Sequence, residues 1–138
     1  MKYINREYYI LHVEDNQDDS LLSELAFKQL ELNVELKKVF NGKKAIDFLK
    51  ESLSKSAKLP DLILLDINLP ILTGIDVLKK IKSEQSTSSI PTIIFTSSDT
   101  ESDMSYCYEN GADLYIRKPD NLNGFKRIMQ VVIRQIKS

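Results

Sequence analysis

Leu62-Ile63-Leu64-Leu65-Asp66-Ile67-Asn68-Leu69-Pro70 is the stretch that decides the fold. Four consecutive apolar residues are too few for a buried helix and suit a strand covered on both faces. The run stops abruptly at a carboxylate. Three more runs have the same form. Tyr9-Ile10-Leu11-His12-Val13 ends in Glu14-Asp15-Asn16, Thr92-Ile93-Ile94-Phe95 ends in Thr96-Ser97-Ser98, and Asp113-Leu114-Tyr115-Ile116-Arg117 ends in Lys118-Pro119. Between them lie segments with helical apolar spacing: Leu21, Leu22, Leu25, Ala26 and Leu30; Ala45, Ile46, Phe48, Leu49 and Leu53; Ile75, Val77, Leu78 and Ile81; Met104, Cys107 and Tyr108; and Phe125, Ile128, Met129, Val132, Ile133 and Ile136.

Strands alternating with helices predict an α/β doubly wound domain. Right-handed crossovers then place helices on both faces of a parallel sheet. Val34 to Phe40 has a mixed pattern that suits an edge strand, so the expected order is 2-1-3-4-5. In such a sheet the strand carboxyl ends share one edge, and ligands bind at the switch point between strands one and three. Glu14, Asp15 and Asp66 should meet there, with Thr96 and Lys118 close by. Asp18 and Asp19 read as acids favouring a helix start, Gly74 as a tight-turn glycine, and Asn110-Gly111 as a helix C-cap.

Bulk properties bound the class. The chain has 138 residues, 42% hydrophobic and 28% charged, with a net charge of −1. That fits one folded domain and excludes disorder as the organising principle. Neither nucleic acid nor an anionic membrane is favoured by the overall charge. One cysteine allows no internal disulfide, and no stretch reads as a signal peptide or membrane span, so a cytoplasmic protein is expected.

Crowded carboxylates in a cleft call for a raised pKa or a cation. The ligands are hard oxygens, which favours Mg²⁺, with Mn²⁺ able to substitute, over zinc. An ammonium and a hydroxyl beside them complete the positioning and charge-neutralising parts that phosphoryl transfer requires. No phosphate-binding glycine loop is present, and the single histidine, His12, lies inside a strand, so a nucleotide-driven kinase or an acyl hydrolase is disfavoured.

Taken in order, Glu14-Asp15-Asn16, the stretch D-I-N-L-P-I-L-T-G-I-D-V-L from Asp66 to Leu78, I-I-F-T-S-S-D from Ile93 to Asp99, N-G-A-D-L-Y from Asn110 to Tyr115, and Lys118-Pro119 resemble the receiver domain of two-component response regulators. The pattern is most similar to stand-alone, CheY-like receivers that include partners of bacterial phytochromes. The resemblance covers nearly the whole chain and implies a flavodoxin-like (βα)5 fold, a single receiver domain over 1–138 (core about 7–136) and no output domain. It implies that Asp66 accepts a phosphoryl group from a sensor histidine kinase or a histidine phosphotransfer protein. Asp15, Asp66 and the Asn68 backbone carbonyl would hold Mg²⁺, with Glu14 acting through a metal-bound water. Lys118 and Thr96 would bind phosphoryl oxygens, Tyr115 would swing inward as the switch, and Asn68 and Ser98 would tune dephosphorylation.

A cis Lys118-Pro119 bond is also implied. The expected output is protein–protein signalling or onward phosphorelay through the fourth-helix, fifth-strand, fifth-helix face, with a homodimer as one consequence of phosphorylation. The rivals are an aspartyl-phosphate phosphohydrolase, which would carry a second acid where Asn68 stands, and a phosphorylation-independent docking module. Tyr106 and Tyr108 are read as partner-facing candidates of which one should pack inward, and Asp120 as a helix cap, a solvated acid, or a negative charge at the rim of the site that slightly weakens phosphoryl affinity.

Overall fold

The computed structural model describes residues 6–136. Five strands and five helices alternate: β1 Glu7–Val13, α1 Gln17–Gln29, β2 Asn33–Val39, α2 Gly42–Ser54, β3 Leu62–Leu65, α3 Gly74–Ser83, β4 Thr92–Thr96, α4 Glu101–Glu109, β5 Leu114–Arg117 and α5 Leu122–Arg134. The sheet runs β2-β1-β3-β4-β5 with every pair parallel, as the run pattern predicts. Central β3 and β4 are buried at every position, whereas edge strand β2 alternates between exposed and half-buried residues.

Period-two alternation sends each strand's residues to two cores. Leu11, Val13, Ile63, Leu65 and Ile94 pack with Ala45, Leu49, Val77, Leu78, Ile81 and Cys107 of α2, α3 and α4. Tyr8, Ile10, Leu62, Leu64, Ile93 and Phe95 pack with Ala26, Phe27, Phe125, Met129, Val132 and Ile133 of α1 and α5. Phe95 and Phe125 meet edge to face at 5.3 Å between ring centroids, the arrangement favoured by the aromatic quadrupole. Cys107 is buried, and desolvation pushes its thiol up to about 11.

Several sequence expectations change here. The buried face of α1 is Ser20, Ser23, Ala26 and Phe27, while Leu21 is 52% exposed; the helix presents small residues to the sheet, and Leu21 is rotated off that face. Gly74 does not serve a positive φ. A Cβ there would lie 1.9 Å from the Asp66 carbonyl oxygen, so the glycine admits the start of α3 against the backbone of the β3 end. Gly111, at φ +99, does meet the backbone demand expected after α4. Neither Tyr106 nor Tyr108 packs inward, because Cys107 occupies the inner face of α4 between them. The cap of α5 is Asn121, whose side chain accepts from Gly124 N–H, and Asp120 is exposed. Lys118-Pro119 is trans, in line with the intrinsic preference of X-Pro bonds.

Candidate functional site

Backbone bonds continue just past the strand ends and fix the site. Glu14 N–H donates to Val39 O at 3.1 Å, Asp66 N–H to Val13 O at 3.1 Å, and Lys118 N–H to Thr96 O at 2.7 Å. The polar residues that terminate β1, β3, β4 and β5 therefore lie along one edge of the sheet, and side chains from β1, β3 and β5 converge there. Oxygens of Glu14, Asp15 and Asp66 fall within 4.8 Å of one another. Glu14 and Asp66 are buried and Asp15 is exposed, so a cation entering from solvent would meet Asp15 first.

Lys118 crosses to this cluster from β5, its side chain only 6% exposed. Its Nζ lies 2.7 Å from Asp66 Oδ2, 2.7 Å from Glu14 Oε1 and 2.8 Å from Asp19 Oδ2. An ammonium has three donors, and three carboxylates surround this one. Burial pulls the Lys118 pKa down, but the hydrogen bonds to Asp19, Asp66 and Glu14, with the charge of Asp66, outweigh it, and the net shift is upward. Glu14 is pushed up to about 7, chiefly by desolvation, with the charge of Asp66 adding and Lys118 opposing. The other oxygen of Asp66, Oδ1, accepts from Asn68 N–H at 3.0 Å, which fixes the carboxylate's orientation.

Oxygen donors from Glu14, Asp15 and Asp66, with no sulfur or imidazole among them, fit a hard divalent cation. The neighbouring ammonium balances part of their charge. The donor set and its crowding thus suit a divalent cation.

Thr96, Ser98 and Tyr115 form a second group. Thr96 is fully buried. Ser98 N–H lies 3.4 Å from Thr96 Oγ1, and Ser98 O accepts from Tyr115 Oη at 2.9 Å. The Ser98 hydroxyl donates to Asp103 in the first turn of α4. Tyr115 is in the inward position, 8% exposed, and its N–H donates to the Tyr108 hydroxyl at 3.0 Å. Exposed Tyr106 accepts from Lys79 Nζ at 2.7 Å and stacks under that ammonium.

Every residue anticipated around the phosphoryl site lies at this edge, with Asn68 exposed above Asp66. Three participants were not anticipated: Asp19 as a partner of Lys118, Asp103 as a partner of Ser98, and Tyr108 as an acceptor for the β5 backbone. His12 is buried in β1 with Nδ1 lacking a partner among the described residues. Desolvation first, then the positive charges of Lys118 and Lys38, lower its pKa to about 3, so it stays neutral. That agrees with a packed strand residue.

Residues 10–130 match the response regulator receiver domain. The chain belongs to the response regulator receiver family. It is 34% identical over 122 residues to the response regulator Rcp1 of Synechocystis sp., covering 88% of this chain and 83% of that one. It is 31% identical over 125 residues to FilR2 of Methanothrix harundinacea, described as a probable methanogenesis regulatory protein, covering 91% and 81%. Among solved structures it resembles the phosphorylated cyanobacterial phytochrome response regulator RcpA, with a TM-score of 0.84, 33% identity and coverage of 92% and 91%. The Mn²⁺-bound form of Rcp1 is similar at a TM-score of 0.81, 33% identity and 91% coverage of both chains. No helix of the described residues is long and apolar enough to cross a membrane.

Proposed function

We propose that this receiver is a single-domain phospho-acceptor in which Asp66 takes the phosphoryl group of a phosphohistidine on a sensor kinase or a histidine phosphotransfer protein. The observation that carries this reading is the reach of Lys118 from β5 to Asp66 and Glu14 at 2.7 Å each, beside Asp15. That arrangement gives an oriented nucleophile, a fixed positive charge and an oxygen-donor set in one place.

In this reading a carboxylate oxygen of Asp66 attacks phosphorus, and the bond to the donor nitrogen breaks with its electron pair leaving on the imidazole. The Asn68 N–H holds the other carboxylate oxygen, so the nucleophile needs no rotation to attack. Lys118 exchanges its bond to Asp66 for one to a phosphoryl oxygen, and the Thr96 hydroxyl takes another. Asp15, Asp66 and the Asn68 carbonyl would hold Mg²⁺, with Mn²⁺ as a substitute, and Glu14 would act through a metal-bound water. The cation, when bound, neutralises charge that develops on the transferring group. Asn68 and Ser98 flank the approach of attacking water and set the lifetime of the acyl phosphate.

The signal leaves through the α4–β5–α5 face. The link from Thr96 through Ser98 to Tyr115 and Asp103 ties that face to the phosphoryl site. A population shift between two arrangements of this link is the switch. The output is protein–protein contact, homodimerisation or onward phosphorelay in the cytoplasm, without direct nucleic-acid or membrane binding. Asn68 stands where an aspartyl-phosphate phosphohydrolase would carry a second acid, which favours the receiver reading over that one.

Intact-protein mass after incubation with Mg²⁺ and acetyl phosphate tests the reading. Wild type should gain one phosphoryl adduct, and Asp66→Asn should gain none, as should wild type without Mg²⁺. Absence of an adduct together with absence of Mg²⁺-dependent beryllofluoride binding would reject phospho-acceptance in favour of a docking module.

A further inference from the structure

Asp19 occupies an unusual place for a residue in the first turn of a helix. Asn16 caps α1, its side chain accepting from Asp19 N–H at 3.0 Å. An acid three residues after such a cap commonly reaches back to the cap's own N–H, closing a reciprocal box. Here that N–H is taken by Glu14, with Asn16 N–H donating to Oε2 at 3.2 Å. The Asp19 carboxylate is thereby free to turn the other way, and it lies 2.8 Å from Lys118 Nζ, across 99 positions of sequence. It retains 23% exposure, against 1% for Glu14 and 6% for Asp66, so it is the most exposed of the three carboxylates around Lys118.

Consider what happens to the ammonium when a phosphoryl group arrives. Nζ already hydrogen-bonds Asp19 and Asp66 and lies in ion-pair contact with Glu14 at 2.7 Å. Transfer converts Asp66 to an acyl phosphate, so that the donor on Asp66 passes to a phosphoryl oxygen. Asp19 keeps its bond and Glu14 its ion pair. The positive charge available to the incoming group is thus shared with a carboxylate on α1 that takes no part in the bond changes. The sharing lowers the local positive potential offered to an anionic donor.

We propose that Asp19 is a positioning residue of the phosphoryl site, one that anchors Lys118 to α1 and withholds part of its charge from the phosphoryl group. This rests on the receiver reading and goes beyond it, because it makes the start of α1 a determinant of how readily Asp66 is phosphorylated. Any contact that draws Asp19 away from Lys118, such as a basic side chain of a docked phosphodonor protein, raises the acceptor's readiness.

The test compares wild type, Asp19→Asn, Asp19→Glu and Asp18→Asn at saturating Mg²⁺. It reads the initial rate of adduct formation with acetyl phosphate and the half-saturating concentration of beryllofluoride. Asparagine keeps an oxygen acceptor for Lys118 but removes the charge. Asp19→Asn should label about fivefold faster and bind beryllofluoride more tightly by a similar factor, a modest change because the carboxylate is partly solvated. Asp19→Glu restores the charge and should return to within about twofold of wild type. Asp18 shares the first turn of α1 but makes no bond to Lys118, and Asp18→Asn should label at the wild-type rate. An Asp19→Asn protein that labels at or below the wild-type rate overturns the inference while leaving the receiver reading intact. So does an equal rise in Asp18→Asn. A wild type that takes neither phosphoryl group nor beryllofluoride overturns both.

Discussion

Two corners of the molecule flank Asp66 and work by different physics. At the β1–α1 corner, Glu14 and Asp19 are held by charge to the buried ammonium of Lys118, each with an oxygen within 2.8 Å of its Nζ. At the β4–α4 corner, Thr96, Ser98 and Tyr115 are joined by hydrogen bonds between neutral groups, and the connection ends on the first turn of α4. The first corner answers to charge, such as that of a phosphoryl group or a cation. The second answers to position, because neutral hydrogen bonds are short-ranged and directional. This chain keeps the two on opposite sides of Asp66, because β1 and β4 flank β3.

The largest expected effect is at the charged corner. Lys118→Met leaves Glu14 and Asp66 buried without their cation and should cost about 3 kcal/mol of stability at pH 8. Because Glu14 takes up a proton as pH falls through about 7, the loss should shrink markedly at pH 5.5. Urea denaturation at the two pH values measures it. A loss of the same size at both would mean that packing, not charge, dominates.

Next in size is the coupling of metal to proton. Mg²⁺ binding beside Glu14 is favoured by its ionised form, so affinity should fall as pH drops below about 7. Without metal the slope of stability runs the other way. A glutamic acid whose folded pKa exceeds its ordinary value stabilises the fold at low pH, and that contribution is lost as pH rises from about 4.5 through about 7. Titration calorimetry with Mg²⁺, and urea denaturation without it, each across pH 5.5–8, would show whether the two slopes have opposite signs.

The neutral corner should behave differently. Tyr115→Phe removes the hydrogen bond to Ser98 O, which joins two neutral groups. It should cost about 1 kcal/mol, with the same value at pH 5.5 and pH 8, and should not prevent phosphorylation of Asp66. A pH-dependent loss at this position would erase the distinction between the corners.

The smallest effect belongs to His12, which lies behind the charged corner. Its folded pKa of about 3 is below the ordinary value, so stability falls as pH drops below about 6.5 toward 3, where the unfolded chain takes a proton that the fold refuses. His12→Leu removes an unpartnered buried nitrogen. It should change stability at pH 7 by less than about 1 kcal/mol and flatten the acid limb of the pH profile. Thermal melts from pH 4 to 7.5 suffice.

The fold and the placement of Asp66 at the strand-end edge were legible because each buried strand is a short apolar run with an abrupt polar end. Leu65-Asp66 and Val13-Glu14 mark their own boundaries, and parallel topology then collects the ends along one edge. The residues that escaped are those whose role depends on rotation about an axis or on approach between backbones. An acid in the first turn of α1 looks the same whether it faces solvent, as Asp18 does, or Lys118, as Asp19 does. Likewise, a glycine after a loop does not reveal whether it serves a positive φ or, as Gly74 does, clearance from the Asp66 carbonyl. The alternation expected of Tyr106 and Tyr108 failed for a similar reason. Two residues apart on a helix, they flank Cys107, and the sheet takes only the middle one.

That middle residue gives the chain a reporter of its own. Cys107 is the only thiol, it is fully buried, and its raised pKa keeps it in the unreactive protonated form. An alkylating reagent can reach it only when α4 lifts from the sheet. Its rate of modification therefore clocks the opening of α4, in the native protein and without any introduced label.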